Sequence, residues 1–274
     1  MPQSPFDLAS RVREFRRLHE SGCFVIPNPW DPGTAAALER LGFPALATTS
    51  AGFAWSRGRR DGAVSLEEAL AHFAEIARAV SVPVNADFEG AFAVEPERVA
   101  ENVARAGGTG VAGLSVEDST GDEAEPLFPF DLAVERVRAA RAAIDALGTG
   151  VLLTARSEGF IRGRPDLAET LRRLRAFSEA GADCLYAPGI RERADLEQVV
   201  RAAAPKPVNV LAWDGATVAD LARIGARRIS VGGSLARAAW TGFLAAAEEI
   251  AQRGTFTTLG GAVPGSALNG RFAG

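Results

Sequence analysis

The feature that most constrains the fold is a regular alternation between short apolar runs and longer segments with helical periodicity. Eight runs follow one another along the chain, with the sequences CFVIPN, PALATTS, VPVNADFE, GVAGLSVED, GVLLTARSE, CLYAP, PVNVLA and RISVGG. Apolar strands that are each followed by a helix are typical of a parallel sheet covered by helices. Eight such units in about 230 residues favour a closed (β/α)₈ TIM-type barrel over an open, doubly wound sheet.

Two of the intervening segments carry clear signals for the start and the end of a helix. One segment opens at Pro165 and closes at Gly181, and the other begins after Pro96 and runs to Gly107. Proline is favoured in the first turn of a helix and glycine just beyond its end. The sequence therefore predicts helices in both places.

No linker rich in Pro, Gly or Ser divides the chain, so a single (β/α)₈-barrel domain is predicted over residues 1–274. Residues 1–20 are predicted to form a helix that packs beneath the barrel. Residues 257–274 form a Gly-rich tail. We expect this tail to be either loose or lodged against a neighbouring subunit.

The charge balance limits the kinds of partner. A net charge of −4 and an isoelectric point near 5.4 argue against binding to nucleic acid or to an anionic membrane, because both need a concentrated basic field. Cys23 and Cys184 each begin an apolar run and do not suggest a disulfide framework. Without the apolar core of a signal peptide or a membrane-spanning run, the expected location is the cytoplasm.

Acidic residues cluster where the predicted strands end. Asn85, Asp87 and Glu89 are spaced by two, which sends all three to one face of an extended strand, and Glu117 ends the next strand. Carboxylates that converge inside a barrel repel one another unless a hard cation is present, and their oxygens suit Mg²⁺ or Mn²⁺. The alternative is that the acids cap the following helices or pair with Arg156.

Arg156 ends the fifth predicted strand, one strand beyond Glu117. Its planar guanidinium either binds a substrate carboxylate through two parallel hydrogen bonds or neutralises the acids. The two histidines, His19 and His72, fall within helical segments away from the strand ends. This placement argues against a histidine-based triad or a zinc site.

Four motifs on strands two to five carry a family resemblance. The runs TTSAGFAWSRGRRDG, NADFEGAF, SVEDST and TARSEGF occur in this order, and the chain resembles the isocitrate lyase and phosphoenolpyruvate mutase superfamily from about Asn28 to Ala251. The resemblance implies a barrel that binds Mg²⁺ together with a small 2-oxo or 2-hydroxy carboxylate. It also implies a homo-oligomer, a dimer or a tetramer, in which paired subunits exchange the eighth helix.

The resemblance further implies roles for individual residues. The predicted substrate-binding residues are Ser50, Ala51, Gly52, Arg156, Asn209 and Ser234. Asp61, Asp87 and Glu117 would hold the metal directly or through water, and the strand spacing described above adds Asn85 and Glu89 as candidate ligands. The predicted catalytic residues are Asp61, Glu117 and Arg156.

Two departures from the family pattern guide the choice of reaction. Many members carry Asp-x-Asp on strand three, whereas this chain has Asn85 and Asp87 around Ala86, which removes one negative charge from the metal site. The lyase branch carries a catalytic cysteine and a histidine in the loop after strand four, whereas the corresponding stretch EDSTGDEAEPLFPFD contains neither.

Decarboxylation through an enolate needs an electron sink but no dedicated base. We therefore predict carbon–carbon cleavage of a small 2-oxo dicarboxylate, such as decarboxylation or hydrolysis of oxaloacetate. Three alternatives remain. They are isocitrate or methylisocitrate cleavage, with Asp122, Glu123 and Glu125 as proton carriers; carbon–phosphorus chemistry of the phosphonopyruvate or phosphoenolpyruvate mutase type; and a non-catalytic binder of 2-oxo acids such as 2-oxoglutarate.

Overall fold

The computed structural model describes residues 7–272, and each of the eight apolar runs contributes one β-strand. The strands are β1 (Phe24–Ile26), β2 (Leu46–Ala47), β3 (Val84–Asp87), β4 (Gly113–Glu117), β5 (Leu152–Arg156), β6 (Cys184–Tyr186), β7 (Val208–Leu211) and β8 (Arg228–Ser230). All neighbouring pairs are parallel, in the order β1-β8-β7-β6-β5-β4-β3-β2. The two edge strands approach each other, and the amide of Ala47 donates to the carbonyl of Pro27 at 3.0 Å. The sheet is thus a nearly closed barrel, which confirms the predicted (β/α)₈ class.

Helices follow the strands and surround the barrel. The helices are α1 (Leu8–Glu20), α2 (Pro32–Arg40), α3 (Ser50–Ser56), α4 (Leu66–Ala79), α5 (Pro96–Gly107), α6 (Phe130–Leu147), α7 (Leu167–Glu179), α8 (Arg193–Ala203), α9 (Val218–Ile224), α10 (Ser234–Arg253) and α11 (Gly265–Phe272), with a 3₁₀-helix at Thr257–Gly261. The predicted helix after Pro96 is α5, and the one between Pro165 and Gly181 is α7. Both predictions are confirmed.

Local capping explains where several helices begin. The Asp31 carboxylate accepts from the amide of Thr34, and the Thr34 hydroxyl in turn accepts from the amide of Asp31, which closes a capping box at the start of α2. Ser65 and Glu68 form the same arrangement at the start of α4. Such caps satisfy backbone amides that have no partner within the helix, so these short sequence signals determine the helix boundaries.

The barrel interior is polar, whereas the layer between strands and helices is apolar. Inside, the Nη2 atom of Arg228 on β8 donates to the Thr154 hydroxyl on β5 at 3.1 Å, although these strands are not neighbours in the sheet. Successive side chains of a strand point to opposite faces. Leu153 and Ile229, which alternate with these polar residues, are accordingly buried against the helices.

The helix α1 packs against the N-terminal ends of the strands. Phe15 is fully buried beside Gly113, the first residue of β4. Arg11 donates to the carbonyls of Ala77 and Val80 at 2.6 and 2.7 Å. Through these contacts α1 lies beneath the barrel; residues 1–6 of the predicted N-terminal segment lie outside the described residues.

The Gly-rich tail forms helical structure. It contains the 3₁₀-helix and α11, and the guanidinium of Arg40 on α2 lies 5.8 Å from the ring centroid of Phe272. Apolar side chains of this segment are exposed, including Leu259, Val263 and Leu268. Residues 273–274 lie outside the described residues.

Two further sequence expectations concern cysteines and membrane segments. Cys23 and Cys184 are both free, as expected for a chain without a disulfide framework. Among the helices of residues 7–272, none combines the length and the apolar character that a membrane crossing requires.

Candidate active site

A cavity of about 500 Å³ opens at the C-terminal ends of the strands. This is the end at which barrel enzymes carry out their chemistry. The predicted site residues that line it are Ser50, Ala51, Asp61, Asn85, Asp87, Arg156, Asn209 and Ser234. Glu117 and Glu89 lie beside this cavity and interact with its acidic residues, as described below.

Arg156 lies at the centre of the acidic residues. Its Nη1 atom is 2.6 Å from Oδ1 of Asp87, its Nη2 atom is 3.1 Å from Oε2 of Glu117, and its Nε atom is 3.0 Å from Oε1 of Glu158. Burial opposes the charged form of the guanidinium, but the three carboxylates outweigh it and raise the pKa of Arg156 well above its ordinary value. The guanidinium is therefore a permanent cation that holds three strand-end acids in place.

Glu117 has a second cationic partner. Its Oε1 atom lies 3.2 Å from Nη2 of Arg162, in the loop after β5. Burial, followed by the negative charge of Glu158, raises the pKa of Glu117, and the two arginines oppose that rise. Glu117 thus lies behind the cavity wall, where it orients both arginines.

Asp87 is held from three sides. Its Oδ2 atom accepts from the backbone amide of Ser50 at 3.0 Å, and its own amide donates to the Thr48 hydroxyl at 2.9 Å. With Arg156 on Oδ1, the carboxylate is fixed at the cavity surface. A carboxylate held by one donor on each oxygen is preorganised to bind a cation or to orient water.

Asp61 approaches the same place from the loop after α3. Its carboxylate accepts from the amide of Gly62 at 3.1 Å and interacts with the Ser50 side chain. Desolvation of the carboxylate, followed by the charge of Asp87, raises the pKa of Asp61. A bound cation would relieve the part of this rise that comes from repulsion between Asp61 and Asp87.

Ser50, Ala51 and Gly52 occupy the first turn of α3. Ser50 and Ala51 line the cavity, whereas Gly52 is buried behind them and its amide donates to the Thr49 hydroxyl at 3.2 Å. A Cβ atom at Gly52 would lie 2.6 Å from Thr49 Cγ2, so the glycine permits close packing of this turn.

The strand alternation expected for Asn85, Asp87 and Glu89 stops at Asp87. β3 ends there, and Glu89 adopts a left-handed backbone with φ of 48°. Glu89 nevertheless remains close to the other acids. Burial first, then the charges of Asp87, Asp61 and Glu117, raise its pKa to about 8.

The cavity offers oxygen atoms of carboxylate and amide side chains as ligands for a metal ion. Within residues 7–272 no group of three or more His, Cys, Asp or Glu side chains is arranged as a metal site. The guanidinium of Arg156 lies between Asp87 and Glu117 and contacts both. Mg²⁺ is usually held by one or two carboxylates, with water and substrate completing the octahedron. Asp87 and Asp61 fit that requirement, and Asn85 adds a buried Oδ1 atom that has no hydrogen-bond partner among the described residues.

A second network lies deeper in the cavity. Arg228 Nε donates to Asn209 Oδ1 at 2.8 Å, and Asn209 Nδ2 donates to the Ser230 hydroxyl at 2.9 Å. Ser230 in turn donates to the Tyr186 hydroxyl at 3.4 Å. Both polar ends of the Asn209 side chain are thus engaged by protein groups.

The turn between β8 and α10 forms one edge of the cavity. Asn28 Oδ1 accepts from the amides of Val231 and Gly232 at 3.0 and 2.8 Å, which fixes this turn against the end of β1. Ser234 begins α10 at the cavity rim, and its hydroxyl accepts from Arg237 at 3.1 Å.

Arg162, Tyr186 and Arg228 are absent from the predicted set. Arg228 begins β8, whereas the chemistry of a barrel is expected where the strands end. Arg162 belongs to an arginine-rich loop whose side-chain directions no local pattern indicates. The position of Tyr186 at the end of β6 was a usable signal. Its significance depends on partners that only the closed barrel brings together.

The fold and the site together define a (β/α)₈ barrel with an acid- and arginine-lined cavity at the C-terminal ends of its strands. Residues 15–251 match the family model described as phosphoenolpyruvate phosphomutase. The chain belongs to this family, within the isocitrate lyase and phosphoenolpyruvate mutase superfamily, and the predicted membership is confirmed. Members of the superfamily are lyases, hydrolases or mutases.

Two relatives illustrate the range of similarity. A protein of Mycobacterium tuberculosis with no assigned function is 33% identical over 220 residues, which cover 80% of this chain and 81% of that protein. An oxaloacetate decarboxylase of Marinomonas sp. is 28% identical over 229 residues, which cover 80% of this chain and 76% of the decarboxylase.

Two solved structures show the same fold. A Burkholderia cenocepacia protein, provisionally assigned as a lyase or mutase, superposes with a TM-score of 0.93 at 45% identity and covers 97% of both chains. A phosphonopyruvate hydrolase in complex with oxalate and Mg²⁺ superposes with a TM-score of 0.83 at 23% identity, and the match covers 95% of both chains. At that identity the likeness to the hydrolase concerns the fold alone.

Proposed function

We propose that the chain is a Mg²⁺- or Mn²⁺-dependent enzyme that cleaves a carbon–carbon bond of a small 2-oxo dicarboxylate, with oxaloacetate decarboxylation as the leading reaction. One observation carries the proposal. The cavity at the strand ends places the carboxylate of Asp87 and the guanidinium of Arg156 in contact, while the described residues that line it include no cysteine and no histidine. This composition suits a reaction that needs charge stabilisation and no dedicated base.

Asp87 is the central residue for the metal, with Asp61, Asn85, Glu89 and Glu117 around it. When bound, the ion supplies Lewis acidity that stabilises negative charge on the 2-oxo oxygen of the substrate. A phosphonopyruvate hydrolase of the same fold forms a complex with oxalate and Mg²⁺, so a barrel of this fold can accommodate such a pair.

Arg156 serves as the substrate-binding cation. A guanidinium has five N–H donors, and three of its nitrogen atoms point to Asp87, Glu117 and Glu158. Two donors remain for the substrate, enough to hold an enolate or carboxylate oxygen. The three acids keep the guanidinium rigid, so little orientational freedom is lost when substrate binds.

The first turn of α3 and the start of α10 complete the substrate site. Ser50 and Ala51 would contact the substrate carboxylate, with Gly52 packing the turn behind them. Ser234 lies at the rim, and Asn209 acts through its hydrogen bonds to Arg228 and Ser230. This arrangement leaves the cavity centre for the atoms that react.

Cleavage of methylisocitrate is a second candidate, because a 2-methylisocitrate lyase of Aeropyrum pernix is 27% identical over 187 residues. In this chain the loop after β4 carries exposed acids, among them Asp122, Glu123 and Glu125, and no cysteine. The missing thiol favours decarboxylation over this lyase reaction.

We further propose that the protein is a homo-oligomer in which paired subunits exchange α10. Ala236 and Glu249 are the buried residues of this 20-residue helix. Trp240, Phe243 and Leu244 are exposed on its surface. Several large apolar side chains exposed together on one helix are typical of an interface with another chain.

The test is a steady-state assay with Mg²⁺ and four substrates: oxaloacetate, isocitrate, methylisocitrate and phosphonopyruvate. Because free Mg²⁺ also promotes loss of CO₂ from oxaloacetate, the rate is measured against the same concentration of an Asp87→Ala variant. Pyruvate formation from oxaloacetate above that background supports the proposal. Glyoxylate from isocitrate, with no enzymatic pyruvate from oxaloacetate, would overturn the ranking.

A further inference from the structure

Tyr186 is the only tyrosine of the chain, and it is buried where β6 ends at the cavity. Its ring centroid lies 5.3 Å from Cζ of Arg156. The phenol is therefore beside the guanidinium that the proposed function assigns to the substrate. Neither the sequence motifs nor the proposed metal site uses it.

Arg228 fixes the orientation of the Asn209 side chain, at the start of the hydrogen-bond network that reaches Tyr186. A guanidinium can only donate, so Asn209 must present its oxygen to Nε of Arg228 and its amide hydrogens to the Ser230 hydroxyl. The Ser230 oxygen accepts from Asn209, which leaves the Ser230 hydrogen available, and in the structure this hydroxyl donates to the oxygen of Tyr186. This last link is the longest, at 3.4 Å.

The consequence concerns the hydrogen of Tyr186 itself. Its oxygen accepts from Ser230, and within residues 7–272 no other group accepts its hydrogen. The hydroxyl is left to donate into the cavity. Burial raises the pKa of Tyr186 to about 12, so the group remains a neutral donor at physiological pH.

Arg228 is paired with no carboxylate among the described residues. Buried arginines are normally paired with carboxylates, yet Arg228 is 4% exposed and forms no ion pair with a described residue. Its side-chain bonds go to the neutral groups of Asn209 and Thr154, and Nη1 has no partner among the described residues. Because a guanidinium only donates hydrogen bonds, Arg228 can orient the neutral groups that accept from it.

We propose that Tyr186 is the proton donor to the enolate formed at this site, and that Arg228 is the positioning residue that aims its hydroxyl at the substrate. The inference rests on the proposed function. Loss of CO₂ leaves an electron pair in the enolate; the Tyr186 O–H bond breaks as a C–H bond forms at the enolate carbon. The phenolate then regains a proton from water once the product leaves. Tyr186 thus takes the place of the cysteine that the loop after β4 lacks.

The kinetic test compares four variants with the wild-type protein: Tyr186→Phe, Arg228→Met, Arg228→Lys and the double variant Tyr186→Phe/Arg228→Met. Loss of a general acid should lower kcat of Tyr186→Phe about 100-fold, with KM changed by less than about threefold. Arg228→Met frees the Asn209 amide to turn and should lower kcat to a similar extent. Arg228→Lys retains a group that only donates and should restore most of the activity.

The double variant separates a positioning role from a purely structural one. If Arg228 acts through Tyr186, the double variant should be no slower than Tyr186→Phe alone. Effects that multiply would contradict the assignment of Arg228. Near-wild-type kcat in Tyr186→Phe would overturn the whole inference.

A binding measurement keeps the inference distinct from the proposed reaction. Tyrosine labelled with carbon-13 at Cζ gives one resonance, because the chain has a single tyrosine. Oxalate, a planar dianion that resembles the enolate, should shift this resonance in the wild-type protein and in Arg228→Lys but not in Arg228→Met when added with Mg²⁺. An equal shift in Arg228→Met would contradict the hydrogen-bond direction. A shift in a wild-type protein that forms no pyruvate would contradict the proposed function and still support Tyr186 as a donor to the ligand.

Discussion

Nη1 of Arg156 lies 2.6 Å from Oδ1 of Asp87, so the last residue of β5 is bonded to the last residue of β3 across the intervening strand β4. The contact joins the proposed substrate-binding cation to the proposed metal-binding carboxylate. Each group restricts the other, and a change in either one should therefore affect both binding and turnover.

The Arg156→Lys variant tests the need for a planar fork at this position. Lysine keeps the positive charge but cannot contact Asp87, Glu117 and Glu158 at once in the geometry of a guanidinium. We expect kcat/KM to fall about 100-fold or more. Arg138→Lys, an exposed substitution beside Glu135, is the matched control and should leave steady-state rates unchanged. Equal rates in both variants would show that the fork is not needed.

A side chain at Gly113, at the start of β4, should destabilise the fold. A Cβ atom there would lie 2.6 Å from Cε1 of Phe15 and 2.9 Å from Oδ1 of Asn85. Overpacking of this kind lowers the free energy of unfolding by about 1–3 kcal/mol, which urea titration of Gly113→Ala would measure. Phe15→Leu in the same background should recover part of the loss. Gly33→Ala, whose new Cβ would make an ordinary 3.4 Å contact, is the control.

Two buried histidines should make the fold sensitive to acid. Burial lowers the pKa of His72 to about 4, despite the opposing charge of Asp31, and lowers that of His19 to about 3. Below pH about 6.5 these histidines are protonated in the unfolded chain but still neutral in the folded one. The free energy of unfolding therefore decreases as the pH falls from about 6.5 toward 4. Each histidine contributes a slope of up to about 1.4 kcal/mol per pH unit.

The variant His72→Phe isolates one of these contributions. The ring of His72 stacks on Phe53, with centroids 3.9 Å apart and planes 10° from parallel, and phenylalanine keeps that stacking without a titrating group. Urea unfolding between pH 7 and pH 4 should show a shallower loss of stability in the variant. A slope identical to that of the wild-type protein would rule out His72 as a source of acid sensitivity.

The exposed apolar face of α10 should control assembly. Phe243 is 59% exposed, and the proposed helix exchange would bury it against another subunit. Phe243→Glu should therefore reduce the mass measured by sedimentation equilibrium to that of a monomer. Glu248→Gln, on the exposed surface of the same helix, should leave the assembly intact. A wild-type protein that sediments as a monomer would contradict the proposed exchange.

The barrel, and the part of the site formed by residues at the C-terminal ends of the strands, can be predicted from local sequence patterns. Apolar runs and helix signals predict every strand, and the position of Asp87 and Arg156 at strand ends predicts that they meet. The extent of the strands is less predictable: the run PALATTS yields only the two residues of β2, because its polar end turns into the cap of α3.

The second network of the site, formed by Arg228, Asn209, Ser230 and Tyr186, depends on contacts between strands that are distant in sequence. Arg228 begins its strand, and its importance comes from Asn209 on β7 and Thr154 on β5, which no sequence spacing connects to it. Glu89 illustrates a different limit. Its spacing of two residues from Asp87 fits a continuing strand. The strand ends at Asp87, however, and the backbone of Glu89 has a positive φ, which the alternation of side chains along the sequence does not predict.

The central claim is metal-dependent carbon–carbon cleavage centred on Asp87 and Arg156. The most direct measurement is the initial rate of pyruvate formation from oxaloacetate, with and without Mg²⁺, in wild-type protein and in Asp87→Ala. We predict a rate that requires Mg²⁺, saturates with oxaloacetate and falls to the protein-free background in Asp87→Ala. A wild-type rate equal to that background, or one that persists in the variant with unchanged dependence on Mg²⁺, would contradict it.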